Sequence, residues 1–265
     1  MILKWFKKRK RIALLKEPFP QNWLQILENN VALYSLVSKA EQSHLQSIMR
    51  IFISEKNWEG CNGQEINDEI KVTIAGNVSV MLLAMKHDYF SHMASVLVYP
   101  SGYQNPAERK ARNGVIMEGN SARLGEAWEH GPVVLAWDCV LEQSRDPYPG
   151  RNVVVHEFAH QLDFMNGFAD GTPLLKSKAQ YIEWHAVMKD EYERLVEDSI
   201  HGRVTLLDDY AATNPAEFFA VASECFFENP LQMAHKHHKL YDVLKGYYRQ
   251  DTAMRMSHKR QKEKL

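Results

Sequence analysis

The sequence predicts an α+β fold, mostly helical, with a small mixed sheet next to one histidine-bearing helix. Three observations lead there. Most of the chain repeats its apolar residues at helical intervals. Strand character is confined to two short runs, Ser95–Tyr99 and residues 132–137. The third is His156-Glu157-Phe158-Ala159-His160, preceded by Val153, Val154 and Val155 and followed by Leu162. That stretch is apolar around much of a helix, and such a helix is buried.

The elements follow in order. After Pro18 and Pro20, residues 23–53 are helical in pattern, with Leu24, Leu27, Val31 and Leu36 at helical spacing. Ser38 with Glu41 resembles an N-terminal capping box. Residues 57–62 read as a loop and 68–85 as another helix. The strand Ser95–Tyr99 closes at Pro100, and the polar segment 102–119 reads as a loop or lid. Tyr148-Pro149-Gly150 is a turn, and Asn152 is the N-cap of the motif helix. That helix should stop near Asn166-Gly167, where glycine suits a left-handed cap. Residues 171–178 read as a loop, and 180–196, 215–227 and 230–250 as helices, with a basic, disordered tail beyond.

Composition narrows the class. At 265 residues, 45% hydrophobic and 25% charged, the chain reads as an ordinary soluble globular protein with a substantial core. A net charge of -1 gives no support for direct nucleic-acid binding. Cys61, Cys139 and Cys225 are odd in number and far apart. They suggest neither disulfides nor a cysteine zinc ribbon, and point to small buried side chains in a reducing, cytoplasmic setting. Met1 to Leu15 is basic and apolar, but its uninterrupted apolar stretch is only Ile12-Ala13-Leu14-Leu15, too short for a secretory signal. No transmembrane run appears. The segment reads as a basic tail, solvated or touching the domain, a partner or an anionic surface.

The pentapeptide carries the chemistry. On a helix, residues four apart are separated by roughly 6 Å of rise and about 40° of rotation, so His156 and His160 can bind one zinc ion. Glu157 beside them can accept a proton from water that the metal has made acidic. Twelve histidines in the chain make a chance match conceivable, with two ordinary histidines and a salt-bridging glutamate. Burial argues against that, because unpaired His and Glu are costly inside a protein.

A catalytic zinc usually takes three protein ligands. The residues after His160, Gln161 to Gly167, contain no further histidine, which excludes the metzincin pattern. Asp163 could ligate, although a carboxylate there more often orients a ligating histidine. The better candidate is Glu217, in Asp209-Tyr210-Ala211-Ala212-Thr213-Asn214-Pro215-Ala216-Glu217. Asn214-Pro215 looks like a helix start, so Glu217 also suits the acidic place of a capping box. Glu224, two turns on, is the reserve ligand or supports one from behind. The run at 133–137 reads either as the sheet edge beside the site, where an extended peptide could add, or as a core strand. His130 reads as a surface residue, and His235, His237 and His238 as a solvated helix face.

The chain resembles the bacterial Mlc titration factor A family of zinc metallopeptidases. The basic start, Gly131-Pro132-Val133-Val134-Leu135-Ala136-Trp137, HEFAHQLDFMNG and DYAATNPAEFFAVASECFF carry the resemblance through most of the chain. The active centre is similar to the catalytic domain of anthrax lethal factor, in which a tyrosine seven residues before the third ligand faces the metal. Tyr210 holds that place relative to Glu217, although by itself it reads equally as a packing residue. The resemblance implies a zincin-like fold with one Zn2+ on His156, His160 and Glu217. It also implies Glu157 as general base, Tyr210 as oxyanion stabiliser, and short peptides cut from the amino end. It implies as a second function the sequestering of an Mlc-like transcription repressor, linked to sugar uptake. A zincin whose metal is only structural is disfavoured by Glu157. The expected organisation is a basic tail at 1–16, one zinc peptidase domain at 17–252 (a helical part to about 90, then the catalytic part), and a basic tail at 253–265.

Overall fold

The computed structural model describes residues 2–101, 131–145 and 150–262, with side chains from residue 5 to 261 within those ranges. The expected loop or lid at 102–119, His130 and Tyr148-Pro149 lie outside the described residues.

The first half builds a helical body. Ile2–Lys16, expected as a basic tail, forms α1, which rests on the later helix α3, Lys39–Glu55. Between them run α2, Gln21–Asn30, and a 3-10 turn, Ala32–Leu36. The single helical pattern expected over 23–53 is therefore broken, and α3 restarts at the expected capping signal. The Ser38 hydroxyl and N–H both donate to the Glu41 carboxylate, at 2.6 and 3.2 Å. The next helix, α4 (Asp68–Leu82), is buried all round from Val72 onwards and forms the centre of the core, between α2 and α3 on one side and later helices on the other. Asn67 caps it by accepting the Ile70 N–H at 3.0 Å.

Among the described residues, the sheet has three strands in the order β1-β2-β3: Asn57–Gly60, Ser95–Tyr99 and Val133–Ala136. Both pairings are parallel, with Asn57 opposite Ser95 and Val96 opposite Val133. This corrects two expectations. As described, the sheet is parallel rather than mixed, and α4 is the crossover that parallel β1 and β2 require. Asn57–Gly60 is a strand rather than a loop; it is short and largely exposed, so it lacks the alternation that marks a half-buried strand. In β2 and β3 the alternation is clear, with Val96, Val98, Val133 and Leu135 buried.

Trp137 opens helix α5, Trp137–Arg145, rather than ending the strand. The motif helix α6, Val153–Asp163, continues into a 3-10 turn, Phe164–Asn166, that ends at Gly167 with φ 89°, as the C-cap signal predicts. Then come α7, Lys178–Ile200, a 3-10 turn, Asp209–Ala212, and α8, Pro215–Glu228. The helix expected at 230–250 is split at His237 into α9, Pro230–Lys236, and α10, His238–Tyr248. The expected disordered tail instead contains α11, Thr252–Lys262. It is anchored by the Thr252 hydroxyl on the Phe226 carbonyl at 2.7 Å and by Arg255 on Glu41 at 2.5 Å.

Phe158 of α6 packs edge-on against Phe52 and Phe90, at 5.6 and 5.1 Å between ring centres. Burying such a ring contributes about 1.5–3 kcal/mol, so α6 is fixed from its inner side. Its opposite side packs on α8. That helix is buried from Ala216 to Glu228 with few breaks, and it carries Glu224 and Glu228 into the interior. Buried carboxylates need partners, and they find them around α6. Cys225 is buried as expected, while Cys61 and Cys139 are half-buried free thiols. No helix among the described residues is long and apolar enough to cross a membrane.

Candidate metal centre

Asn152 starts the site. Its side chain accepts the Val155 N–H at 3.2 Å, capping α6. His156 lies a turn inside the helix and His160 a turn further, so their rings meet edge to face with centres 4.9 Å apart. Their Nε2 atoms are 3.3 Å apart.

Glu217 reaches the same point from α8. Asn214 accepts the Glu217 N–H at 3.0 Å and Pro215 occupies the first turn, the helix start expected. The Glu217 carboxylate is turned towards the histidines. Its Oε2 lies 3.1 Å from His156 Nε2 and 3.4 Å from His160 Nε2. Among the described residues, this is the group of three His, Cys, Asp or Glu side chains whose donor atoms converge closely enough to hold one metal ion. Tetrahedral zinc with bonds of roughly 2.0–2.1 Å spaces its ligand atoms by roughly 3.3 Å. The three edges match that spacing, and the donor set suits zinc.

The other nitrogen of His156 is also fixed. Nδ1 donates to Glu224 Oε1 at 2.7 Å, which leaves Nε2 as the ring atom facing the cluster. Glu224 Oε2 accepts the Asn152 N–H at 2.6 Å, so one carboxylate holds both the start of α6 and its first histidine. The Asn152 amide then donates to Glu228 at 2.7 Å and to Asn77 of α4 at 3.0 Å. Asn77 in turn donates to Ser144 of α5 at 2.9 Å. This buried network ties four helices to the position of His156. Glu224 therefore stands behind His156, where the sequence reading left it as reserve ligand or support. Asn77, Ser144 and Glu228 had no signal in the sequence beyond polar residues in apolar helices.

Asp163 does not orient a histidine. Its Oδ2 accepts the Gly171 N–H at 2.8 Å, and burial raises its pKa to about 6. Gly171 has φ 75°, and a Cβ there would lie 2.3 Å from the Pro215 carbonyl oxygen. Only glycine permits the loop after α6 to pass this close to the start of α8, beside Glu217.

Charge follows the geometry. Burial alone would lower the His156 pKa, but Glu224 and Glu217 raise it well above its ordinary value. Burial opposes ionisation of Glu217, yet His156 and His160 hold it well below the usual carboxylate range. Glu157, half-buried beside them, is raised by burial and by Glu217 and Glu224, against the pull of both histidines.

Tyr210 sits in the 3-10 turn before α8, its ring centre 6.1 Å from that of His156. Burial first, and then the nearby Glu217 carboxylate, push the phenol pKa well above 10. It therefore stays protonated and able to donate. Asp208 accepts the Tyr210 N–H at 2.9 Å and pairs with Arg151, the residue before Asn152. The turn carrying Tyr210 is thus tied to the start of the motif helix, a link the sequence did not reveal. Farther away, His235 and His238 are exposed as expected, but His237 is half-buried and bonds Glu191 at 2.8 Å.

Comparison with known proteins agrees with this centre. The model of the glucose-regulated metallo-peptidase M90 family matches residues 3–249. The chain is 34% identical over 250 residues to an uncharacterized protein of Synechocystis sp. strain PCC 6803, covering 93% of this chain and 88% of that protein. It is 30% identical over 241 residues to Mlc titration factor A of Escherichia coli O127:H6, covering 89% and 88%. Mlc titration factor A of Shigella flexneri serotype 5b matches to the same extent. A helix-borne histidine pair closed by a carboxylate, inside a match that runs almost from end to end, places this chain in the glucose-regulated metallo-peptidase M90 family.

Proposed function

We propose that this protein is a zinc-dependent peptidase of the HExxH-plus-glutamate type, with His156, His160 and Glu217 as the zinc ligands. The observation that carries this reading is the triangle of donor atoms with edges of 3.1, 3.3 and 3.4 Å. When bound there, zinc supplies a Lewis acid that polarises the scissile carbonyl and makes water acidic near neutral pH.

The side chains do the rest. Glu157 takes a proton from the attacking water and returns it to the leaving amine. Its raised pKa suits a group that must both accept and release a proton. Tyr210, held protonated, donates a hydrogen bond to the tetrahedral oxyanion. Glu224 keeps the His156 ring in place with Nε2 turned towards the cluster. Strand β3 is the outer strand of the described sheet and packs against α6, which supports an extended peptide adding along it. The catalytic unit spans 17–252, acts in the cytoplasm, and takes short peptides from the amino end.

The test is zinc content together with hydrolysis of an aminoacyl and peptide panel, with Glu157→Gln alongside. Zinc in both proteins and cleavage only by the wild type is the expected result. Protein purified and reconstituted without any zinc uptake would overturn the reading.

A second reading draws on the name of the relatives, which describes them as titrating Mlc. In it the chain sequesters an Mlc-like transcription repressor and so acts on sugar uptake. Glu157→Gln separates the two, since repressor capture survives that change and peptide cleavage does not.

A further inference from the structure

We propose that helix α1 is a docking element for an anionic membrane surface, through an outward face that combines aromatic and basic side chains. The helix, Ile2–Lys16, contains seven Lys or Arg and no acidic residue, in a chain whose net charge is only -1. Its inner side is engaged. Arg11 pairs with Glu55 of α3 at 2.6 Å and lies 4.3 Å over the Tyr89 ring, Lys7 reaches Glu55 at 3.0 Å, and Leu14 is half-buried.

These contacts fix which face points away. At about 100° per residue, Trp5, Arg9, Ile12 and Lys16 form one strip opposite Lys7, Arg11 and Leu14. Phe6 lies beside that strip, Lys8 flanks its other edge, and Lys10 is exposed beyond Phe6. Trp5, Phe6, Ile12 and Leu15 are 52%, 59%, 48% and 40% exposed, and Lys8, Arg9, Lys10 and Lys16 are exposed too. Arg9 sits 4.6 Å over the Trp5 ring, and Trp5 packs edge-on to Phe6 at 4.9 Å.

Charge complementarity selects the occupant. Clustered cations alone would suit any polyanion, but two large aromatics and a branched aliphatic beside them suit the boundary between lipid headgroups and acyl chains. There the rings enter the apolar layer while the flanking cations meet lipid phosphates. The helix is too short and too charged to span, so it would lie in the interface plane. Because α1 is already folded and held by Glu55, its outward face is presented without an ordering cost.

Co-sedimentation of the full chain with vesicles decides it. Binding is expected to phosphatidylglycerol-phosphatidylcholine vesicles at low salt, with little to phosphatidylcholine alone and release at high salt. Each lysine near an anionic surface contributes about 1 kcal/mol, so Lys8→Gln with Lys10→Gln should lower partitioning about 30-fold. Trp5→Ser with Phe6→Ser, at unchanged charge, should lower it about tenfold or more, on the scale of interfacial insertion. The milder Trp5→Phe should keep binding but lose the extra fluorescence quenching that brominated acyl chains cause in the wild type. Absence of binding to anionic vesicles overturns the proposal. Binding that ignores Trp5 and Phe6 and is competed equally by RNA also overturns it, in favour of unspecific polyanion attraction.

Discussion

His156 and His237 are alike at one ring nitrogen. His156 Nδ1 meets Glu224 at 2.7 Å, and His237 Nδ1 meets Glu191 at 2.8 Å. Both glutamates are 6% exposed, so burial of the carboxylate does not distinguish the two. The difference lies at the second nitrogen. Nε2 of His156 converges with His160 and Glu217, whereas His237 belongs to no such group among the described residues. Glu191 is shared instead with Arg194, at 3.2 Å. A His–Glu pair is therefore a structural device that the molecule uses twice, and a further histidine and carboxylate facing Nε2 turn one of them into a group that could hold a metal ion.

The largest expected effect breaks the comparison at its chemical end. Glu157→Gln should lower kcat/KM about 10²–10⁴-fold, the range of a lost general base, with metal content unchanged because Glu157 is not a proposed ligand. His160→Ala should remove the metal as well as the activity. His237→Gln should leave both intact and cost about 1–3 kcal/mol of stability, because buried Glu191 loses its histidine partner and keeps only Arg194. Metal analysis and steady-state kinetics on the three proteins separate these outcomes, and loss of metal from His237→Gln would mean that the two pairs are not independent.

Tyr210→Phe comes next. Loss of one oxyanion donor costs about 10²–10³-fold in kcat, and KM should change little because the hydroxyl acts on the transition state. A KM effect with kcat preserved would make Tyr210 a packing residue, the reading that its sequence context left equally open. Its ring does pack near His156, so the kinetic split carries the decision.

Glu224→Gln and Glu191→Gln sharpen the comparison itself. Glu224 orients a proposed ligand, so its replacement should weaken metal affinity about 10–100-fold, read by competition with a chelator. The same change at Glu191 should leave metal affinity untouched. Equal effects would show that general stability, rather than orientation of His156, is what Glu224 provides.

Legibility in the sequence follows the same division between local and distant. His156, Glu157 and His160 are set by spacing along one helix, and the caps Asn152, Asn214 and Ser38 are equally local, so all were readable. Glu217 and Tyr210 came from a long motif rather than from geometry, since 61 residues separate His156 from Glu217. The Arg151–Asp208 pair and the chain from Glu224 through Asn152 to Asn77 join segments 57 to 75 residues apart, and no period in the sequence encodes such contacts. Strand β1 has no signature in the sequence because an exposed four-residue strand carries no alternation. α11 reads as a tail in the sequence because it has few apolar residues and is held by anchors on the distant Phe226 and Glu41.

The smallest expected effect is a pH dependence at the pair without the cluster. Burial pushes the Glu191 pKa upwards, but the His237 bond and Arg194 outweigh it and leave the group below 4.5. A carboxylate depressed in the folded state stabilises fully above its unfolded value, and that stabilisation is lost as pH falls through the folded value. The wild type should therefore be more stable than Glu191→Gln above about pH 4.5, and the gap should close as the pH is lowered further. Denaturant melts of both proteins between pH 3 and 7 measure it. Acid release of a metal from the other centre would lower both curves together and cancel in the difference, so a gap that stays constant across this range would remove Glu191 as an ionised partner of His237.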